Sequence, residues 1–369
     1  MGFIIVFLLL VLLYSVLILY FIIGLTKLKI KSIGTVSELP FISVVIACRN
    51  EENNLTYLYE LLKRQDYPED KFEIILVNDH STDHSIDVLK TLNDADKRFR
   101  PLHLVNGKSG KKAALFMGVE HALGEIIATT DSDCKVPENW LSSIVPYFED
   151  TSLKLLIGAV RMNGTNFFEK LQALEFSGLI GSGAGATIMG LPFLANGANL
   201  AFRKKDFLSA DLKPAYVSGD DIFLLQQIKK KYGAAGIGFL AHPSATVTTT
   251  SQKTWGGFLN QRIRWLSKSS GYTDFQIIVV GLLVFLTNIF VLISGVSIFF
   301  NISFLYYFLI GFGIKFLIDF TLLFFSTRFL NQKKLLIYSF PLAIFYPVYL
   351  FFVSLLTLFK TPEWKGRKH

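Results

Sequence analysis

Four apolar stretches, each long enough to cross a bilayer, lie at the two ends of this chain and constrain its fold more than any other feature. They cover residues 3–24, about 275–300, 303–325 and 335–359. A transmembrane helix needs about 20 mostly apolar residues to cross a hydrocarbon core about 30 Å thick. The mean hydropathy of +0.43 is also too high for an ordinary soluble domain. We therefore predict an integral membrane protein with an anchor at 1–26 and about three C-terminal membrane segments within 274–360.

Basic residues beside these stretches predict the orientation of the chain. Lys27, Lys29 and Lys31 follow the first stretch, and the link at 327–334 is also basic. The positive-inside rule places both in the cytoplasm. A cleaved signal peptide is disfavoured, because the first run is too long and no cleavage site follows it. We predict a retained anchor and a cytoplasmic middle region, at the inner membrane if the cell is bacterial.

The last apolar stretch, 335–359, leaves two topologies open. A single crossing would place the basic tail at 361–369 outside, against the charge rule. Pro341 and Pro347 are expected to break the helix, so a re-entrant or interfacial element that keeps the tail inside is the alternative.

Lys315 and Asp319 stand four residues apart within an apolar stretch, so they share one helix face. An intramembrane pair of this kind can mark a substrate path. The interpretation we favour is a self-neutralising pair near the cytoplasmic boundary.

Between residues 40 and 130, β-branched apolar segments alternate with helical patterns. The predicted strands are 41–47, 73–77, 102–105 and 125–130, and the predicted helices lie near 55–62, 84–92 and 111–122. This alternation indicates an α/β fold with a mostly parallel, Rossmann-like sheet. Ligands of such sheets bind beyond the carboxyl ends of the strands.

Polar and acidic clusters follow three of these strands, at 49–52, 78–79 and 131–133. One such cluster alone would be typical of a helix cap. Three of them at one sheet edge repel each other unless a cation or hydrogen-bond donors offset the charge. A hard divalent cation such as Mg²⁺, held by one or two carboxylates plus substrate phosphates, fits this pattern.

The formal net charge of +8 suits contact with anionic lipid or handling of anionic substrates. Nucleic acid is disfavoured as a partner, because no basic stripe with interleaved aromatic residues is present. Cys48 and Cys134 form neither a disulfide framework nor a zinc pattern. Two thiols of this kind are compatible with a reducing compartment.

Seven short motifs occur in order between residues 40 and 270. They are SVVIACRNEENNL, EIILVNDHSTD, GKSGKKAAL, DSD at 131–133, NGANLAFRK, GDD at 219–221 and QRIRW at 261–265. Together they resemble the membrane-integrated family 2 glycosyltransferases, the branch that contains cellulose, hyaluronan and poly-N-acetylglucosamine synthases. The resemblance implies a GT-A-like nucleotide-sugar-binding domain at 38–250, a hexosyltransferase activity of class EC 2.4, and Mg²⁺ or Mn²⁺ as cofactor.

The resemblance also implies roles for residues that would bind the donor, for which UDP is the family's usual nucleotide. Glu51 and Asp79 would hold the nucleoside. Lys111 would lie near the diphosphate, although its neighbours Lys108 and Lys112 have the same chemistry and remain alternatives.

The motif at 131–133 resembles the family's metal motif. Asp133 is expected to be the direct metal ligand, and Asp131 is expected to contact the ribose or a metal-bound water.

Asp220 and Asp221 match the family position whose second carboxylate is the catalytic base. An acceptor hydroxyl must lose its proton as it attacks the anomeric carbon, and a nearby carboxylate can take it. The alternative is an N-cap pair for a helix at 222–230. We predict an in-line displacement with inversion, in which Asp221 takes the proton.

Gln261, Arg264 and Trp265 occupy positions i, i+3 and i+4 and therefore share one helix face. Arg264 can clamp the leaving diphosphate with forked donors, and Trp265 can stack against a sugar ring or a lipid. The alternative is an interfacial amphipathic helix at 251–273. Both interpretations can hold together.

The acceptor is expected to meet Gln261 and Trp265, together with Asn196 and Gly197 at the end of the stretch 178–197 and Asn199 just after it. That stretch is rich in Gly, Ala and Ser, and a mobile loop is the alternative interpretation.

The short chain and small number of membrane segments favour a lipid or glycolipid acceptor over a secreted polymer made by a processive synthase. A non-catalytic membrane scaffold is the alternative of another class. The expected partners are a nucleotide-sugar, a lipid or glycan acceptor and membrane lipids.

Overall fold

The computed structural model describes residues 2–31, 38–216, 218–360, 363–364 and 367–368. They form two compact units. The sheet unit contains Lys29–Arg161, Leu194–Thr250 and Glu363–His369, and the helical unit contains Met1–Leu28, Met162–Phe193 and Ser251–Pro362.

The strands, in chain order, are β1 Ile42–Cys48, β2 Phe72–Asn78, β3 Phe99–His103, β4 Ile126–Thr129, β5 Leu155–Gly158, β6 Val160–Asn163, β7 Leu200–Arg203, β8 Ile237–Leu240, β9 Val247–Thr250, β10 Glu363–Trp364 and β11 Arg367–Lys368. The helices are α1 Gly2–Thr26, α2 Glu52–Lys63, α3 Ser85–Ala95, α4 Lys111–His121, α5 Trp140–Phe148, α6 Phe167–Ile188, α7 Lys204–Leu208, α8 Asp220–Tyr232, α9 Trp255–Ser267, α10 Phe275–Ser297, α11 Phe304–Phe329 and α12 Ser339–Thr357.

The main sheet has the strand order β3-β2-β1-β4-β7-β5-β8. Strands β1 to β4 pair in parallel, β7 runs antiparallel to β4 and β5, and β8 is parallel to β5. Every residue of β1 and β2 is buried, as expected for parallel strands covered on both faces. The predicted α/β fold with a mostly parallel sheet is confirmed.

The third strand lies at Phe99–His103, so its predicted position at 102–105 is wrong. This strand is at the edge of the sheet and contains Pro101. A proline lacks the N–H that an inner strand needs, but an edge strand tolerates it. The apolar pattern alone therefore predicted a strand that starts three residues too late.

In the described part of the chain, four helices are long and apolar enough to cross a membrane: Gly2–Thr26, Phe275–Ser297, Phe304–Phe329 and Lys333–Thr357. The four predicted apolar segments are thus confirmed as helices. The two prolines remove N–H groups from the last one but do not end it, because α12 is continuous from Ser339 to Thr357 with Pro347 inside it. Pro341 lies in the first turn, where the N–H has no partner within the helix.

Lys315 and Asp319 form the expected ion pair, with 2.6 Å between Nζ and Oδ2. Asp319 lies ten residues before the end of α11, which is about 15 Å at a rise of about 1.5 Å per residue. The pair therefore lies in the middle of the helix and not near its end.

The small-residue stretch is mainly helical. Residues 178–188 belong to α6, so the interpretation of this part as a loop is wrong. Small side chains let α6 approach its neighbours in the helical unit closely. A Cβ atom added to Gly185 would lie 1.9 Å from the carbonyl oxygen of Phe21, and one added to Gly24 would lie 2.0 Å from that of Gly185. Such backbone approach is typical of membrane helix packing.

Replacing Gly185 with valine should therefore destabilise the helical unit by about 2–3 kcal/mol, the upper range for overpacking. The clash is with backbone atoms of α1, which cannot rotate away. Thermal unfolding in detergent would measure this loss of stability. Gly313→Val is the matched control, because a Cβ there meets nothing within 4 Å. Equal loss of stability in both variants would contradict this account of the helix contact.

Candidate functional site

The carboxyl ends of β1, β2 and β4 lie at one edge of the parallel sheet, because Cys48 is in register with Asn78 and Val45 with Thr129. The chain turns sharply after β1 and β2. Asn50 and His80 have φ of 52° and 48°, a left-handed conformation that asparagine and histidine tolerate better than most residues. These turns keep the following polar residues at the sheet edge.

Asp79 and Glu51 are buried at this edge, with 0% and 5% of their surface exposed. The Asp79 carboxylate accepts a hydrogen bond of 3.0 Å from the backbone N–H of Gly110, directly before α4. Glu51 accepts a bond of 2.6 Å from Asn54 Nδ2. Arg49 braces the turn after β2, donating to the carbonyls of Asp79 at 2.7 Å and His80 at 3.0 Å.

Lys111 is the first residue of α4 and lies among carboxylates. Its Nζ is 2.5 Å from Asp131 Oδ1. Burial by itself would lower the pKa of Lys111, but the carboxylates of Asp131, Asp220 and Asp221 outweigh it and raise this pKa above its usual range. Lys111 therefore keeps its positive charge at neutral pH.

The structure also separates Lys111 from its two neighbours. Lys112 Nζ donates to the carbonyls of Leu212 at 2.9 Å and Lys213 at 2.8 Å. The carbonyl of Lys108 lies 3.0 Å from the ring nitrogen Nε2 of His80. Among the contacts described for these lysines, it is the Lys111 ammonium group that bonds to the acidic motif after β4.

Asp131, Asp133 and Cys134 place one possible ligand atom each within 4.8 Å of one another. The two carboxylates suit a hard divalent cation such as Mg²⁺ or Mn²⁺. Burial, followed by the nearby Asp131 and Asp133, raises the pKa of the Cys134 thiol well above its usual value. Sulfur is a soft ligand that suits other metals, so the donor set that fits a hard cation is the carboxylate pair.

Asp220 and Asp221 open α8, which begins two residues earlier than the predicted helix at 222–230. Asp221 accepts hydrogen bonds from the backbone N–H of Gly197 at 3.3 Å and of Ile222 at 2.7 Å. Carboxylates in a first helical turn also interact favourably with the helix dipole. The N-cap of α8 is Gly219, and no side chain caps the helix, so the interpretation of Asp220 and Asp221 as an N-cap pair is wrong.

Gly197 lies between the acidic and basic groups of the sheet unit. A Cβ atom added there would be 3.4 Å from both Asp220 Oδ2 and Lys111 Nζ. Its carbonyl accepts a bond of 3.0 Å from the hydroxyl of Thr129 in β4. The contacts thus bring together Lys111, Asp131, Gly197, Asp220 and Asp221.

The two asparagines beside Gly197 differ. Asn196 is partly exposed, and its side chain accepts a bond of 3.0 Å from the Ala198 N–H. Asn199 is buried, and its amide donates to the carbonyls of Ala159 and Ala245 while its oxygen accepts from Trp140 Nε1. These bonds give Asn199 a structural role, in place of the acceptor role considered from the sequence.

The motif QRIRW lies on α9 in the helical unit, and its helical conformation agrees with the prediction. Gln261, Arg264 and Trp265 are partly exposed. The ring of Trp265 already makes a cation–π contact, because the guanidinium carbon of Arg262 lies 4.5 Å from the ring centroid.

Arg262, which the sequence analysis did not single out, is buried and forms an ion pair of 2.6 Å with Glu175 of α6. Tyr349 of α12 donates to the same carboxylate. A charged residue inside the otherwise uncharged stretch 171–188 was the available signal for Glu175.

Residues 43–209 match the family described as Glycosyl transferase family 2. Among curated proteins, a beta-monoglucosyldiacylglycerol synthase of Nostoc sp. is 30% identical over 177 residues, 42% of this chain and 37% of the relative. A poly-beta-1,6-N-acetyl-D-glucosamine synthase of Staphylococcus aureus is 27% identical over 234 residues, 62% of this chain and 55% of the relative. This chain spans less than half of the length of the glycolipid synthase.

Among solved structures, the mannosyltransferase PcManGT from Pyrobaculum calidifontis, in complex with GDP-Man and Mn²⁺, has a TM-score of 0.57 and 16% identity. The match covers 97% of this chain and 98% of that one, and it shows a shared GT-A-like fold. With the family match it confirms the resemblance given by the motifs. The similarity to Glycosyl transferase family 2 thus covers residues 43–209, a little less than half of the chain.

Proposed function

We propose that this protein is a metal-dependent, inverting glycosyltransferase that moves a sugar from a nucleotide-sugar to a lipid or glycolipid in the membrane. The observation that carries the proposal is the gathering of Lys111, Asp131, Asp220 and Asp221 around Gly197, at the carboxyl edge of the sheet. Ligands of open α/β sheets bind at this edge.

The donor would occupy the surface between the ends of β1, β2 and β4. Glu51 and the buried Asp79 have carboxylate oxygens that can accept from a nucleobase or ribose. Lys111 would contact the diphosphate as a point charge. The diphosphate of a nucleotide-sugar is negatively charged and would attract the ammonium group of Lys111, which the nearby carboxylates keep protonated.

Asp133, with Asp131, would hold the divalent cation. When bound, the cation neutralises charge on the diphosphate as the sugar leaves. Lys111 now bonds to Asp131, so we expect this ammonium group to move toward the phosphates when donor and cation bind. Arg264 on α9 would add forked donors to the leaving group.

Asp221 is the proposed general base. Its carboxylate is oriented by two backbone N–H groups, from Gly197 and Ile222. A carboxylate so held can accept a proton from an acceptor hydroxyl in the transition state. Asp220 lies beside Lys111 and Gly197 and would orient the site. A single displacement of this kind inverts the anomeric centre.

The catalytic domain is proposed to face the cytoplasm, as the basic residues at 27–31 and 327–334 favour. A polymer-forming synthase is the second candidate, favoured by the alignment with the poly-beta-1,6-N-acetyl-D-glucosamine synthase, which covers 62% of this chain. A non-catalytic scaffold is disfavoured, because Asp79, Asp131, Asp133, Asp221 and Arg264 are all retained.

The deciding experiment incubates the purified protein with Mn²⁺ or Mg²⁺ and a panel of UDP- and GDP-sugars, with and without a lipid extract. We expect nucleotide release that depends on both the cation and the lipid, with a single sugar appearing in the lipid phase. A long water-soluble polymer would favour the second candidate. Absence of release with every donor and cation would overturn the proposal.

Replacing Lys111 with methionine should weaken nucleotide-diphosphate binding by about 10- to 100-fold, since a hydrogen bond to a charged group contributes about 1.5–3 kcal/mol. Calorimetric titration with UDP and GDP in the presence of Mn²⁺ would measure this. Lys112→Met is the matched control, because that lysine bonds to the carbonyls of Leu212 and Lys213. Equal weakening in both variants would reject the specific role of Lys111.

A further inference from the structure

A cavity of about 170 Å³ lies inside the helical unit, among α1, α6, α10, α11 and α12. This volume is more than ten times the roughly 15 Å³ that one water molecule needs. Most of its wall is apolar and rich in aromatic rings, including those of Phe21, Phe193, Phe316 and Phe320. Cavities with apolar walls and a few polar groups are typical of binding sites for small organic groups.

Lys315, Asp319 and Tyr14 form the first polar position of the cavity. Asp319 accepts hydrogen bonds of 2.6 Å from both Lys315 Nζ and the Tyr14 hydroxyl. Lys315 is 4% exposed, and its ammonium lies over the rings of Tyr14 and Tyr346. Burying such a pair costs more than filling the space with apolar side chains, and ionisable groups at membrane depth usually have a function.

Glu175 forms the second polar position of the same cavity. It bonds to Arg262 and Tyr349, and the ring of Tyr349 lies 5.3 Å from that of Tyr346. The contacts therefore run from Arg262 on α9, through Glu175 and the two tyrosines, to Lys315 and Asp319. The helix that carries QRIRW is thus connected to the interior of the helical unit.

The charges of this network balance. Lys315 faces Asp319, and Arg262 faces Glu175. A phosphate group would need a surplus of cationic donors, whereas hydroxyl groups can both donate to the carboxylates and accept from the ammonium. The cavity therefore favours an uncharged, hydroxyl-bearing ligand.

The position of the cavity suits a molecule that enters from one surface of the bilayer. Its α12 wall begins at Ser339, the first residue of that helix, and includes Tyr346. Its α11 wall runs from Lys315 to Leu323, which is about 12 Å along the helix. The space thus extends from the first turn of α12 to the middle of α11.

We propose that this cavity binds the hydroxyl-bearing head of an uncharged lipid, and that this lipid is the acceptor. The inference rests on the proposed function above, and it narrows the acceptor to uncharged lipid alcohols, such as diacylglycerols, and excludes polyprenyl phosphates.

The test measures lipid binding directly, without donor, on the full chain in phosphatidylcholine nanodiscs. The probes are tritium-labelled dioleoylglycerol and, separately, tritium-labelled undecaprenyl phosphate. Ala343→Phe places a ring in the cavity, and Ile344→Phe is its matched control, because that neighbour is exposed and lies off the cavity wall. The double variant Lys315→Met with Asp319→Asn removes the ion pair while leaving side chains of similar size.

We expect saturable binding of dioleoylglycerol that weakens at least tenfold in Ala343→Phe and in the double variant, and that is unchanged in Ile344→Phe. Saturable binding of undecaprenyl phosphate in its place, or full binding in both altered proteins, would overturn the inference. If dioleoylglycerol binds as expected but no nucleotide-sugar is turned over, the proposed function fails and the lipid site stands. Turnover without saturable lipid binding would reject the lipid site alone.

Discussion

Asp221→Asn is expected to lower sugar transfer by at least about 100-fold, the lower range for loss of a general base, while leaving nucleotide affinity within about twofold. The amide keeps the size of the side chain, and its single oxygen can still accept from one of the two N–H groups, that of Gly197 or that of Ile222. It cannot take the proton of an acceptor hydroxyl. Transfer of a labelled sugar and a separate nucleotide titration would measure the two quantities.

Asp220→Asn is the matched variant for this prediction. Asp220 stands one residue earlier and has its Oδ2 beside Gly197 and Lys111. Its loss should disturb donor affinity more than the chemical step, because it removes a charge next to the lysine. If Asp220→Asn lowers transfer and Asp221→Asn lowers donor affinity, Asp220 is the base and the assignment must be reversed. Near-normal turnover in both variants would show that neither aspartate is the general base.

Asp131→Asn combined with Asp133→Asn should abolish cation-dependent transfer. The carboxylate pair supplies the oxygen atoms that a hard cation requires, and amides bind such cations much more weakly. We expect a fall of at least about 100-fold in activity, together with loss of the Mn²⁺ dependence of nucleotide binding. The electron paramagnetic resonance signal of bound Mn²⁺ provides a readout that does not depend on turnover.

Cys134→Ser is the control for the same site. The thiol lies within the group of possible ligand atoms, but soft sulfur ligands do not suit Mg²⁺ or Mn²⁺, so we expect it to take no part in binding a hard cation. Its replacement should therefore leave Mn²⁺ affinity unchanged. A large loss of Mn²⁺ binding in Cys134→Ser, with the aspartate pair intact, would contradict the carboxylate-only donor set.

Several features of the site could be predicted from sequence because parallel strands carry their carboxyl ends to one edge. The positions of Asp79 and Asp131 follow from that rule alone. Lys111 could be named through the motif but not separated from Lys108 and Lys112. That choice needed the contact between its Nζ and Asp131, which joins residues twenty positions apart.

Other features depended on contacts that no local pattern encodes. Gly197 lies beside both Lys111 and Asp220 because three distant segments meet there. The small-residue stretch was open to two interpretations, since small residues suit both loops and close helix packing. Its helical conformation is explained by the backbone of α1 lying against Gly185.

Length and periodicity in the sequence determined that long apolar helices lie towards the two ends of the chain and an α/β domain lies between them in sequence. A helix long enough to cross a bilayer and a strand buried in a parallel sheet each require a recognisable apolar pattern. The order of its motifs gave the resemblance to family 2 glycosyltransferases, which the family match over residues 43–209 supports. Tertiary structure decided which charged and polar side chains meet: Lys111 with Asp131, Arg262 with Glu175, and Tyr14 with Asp319. Such pairs depend on distance in space, and residues 87 or 305 positions apart along the chain leave no local trace of it.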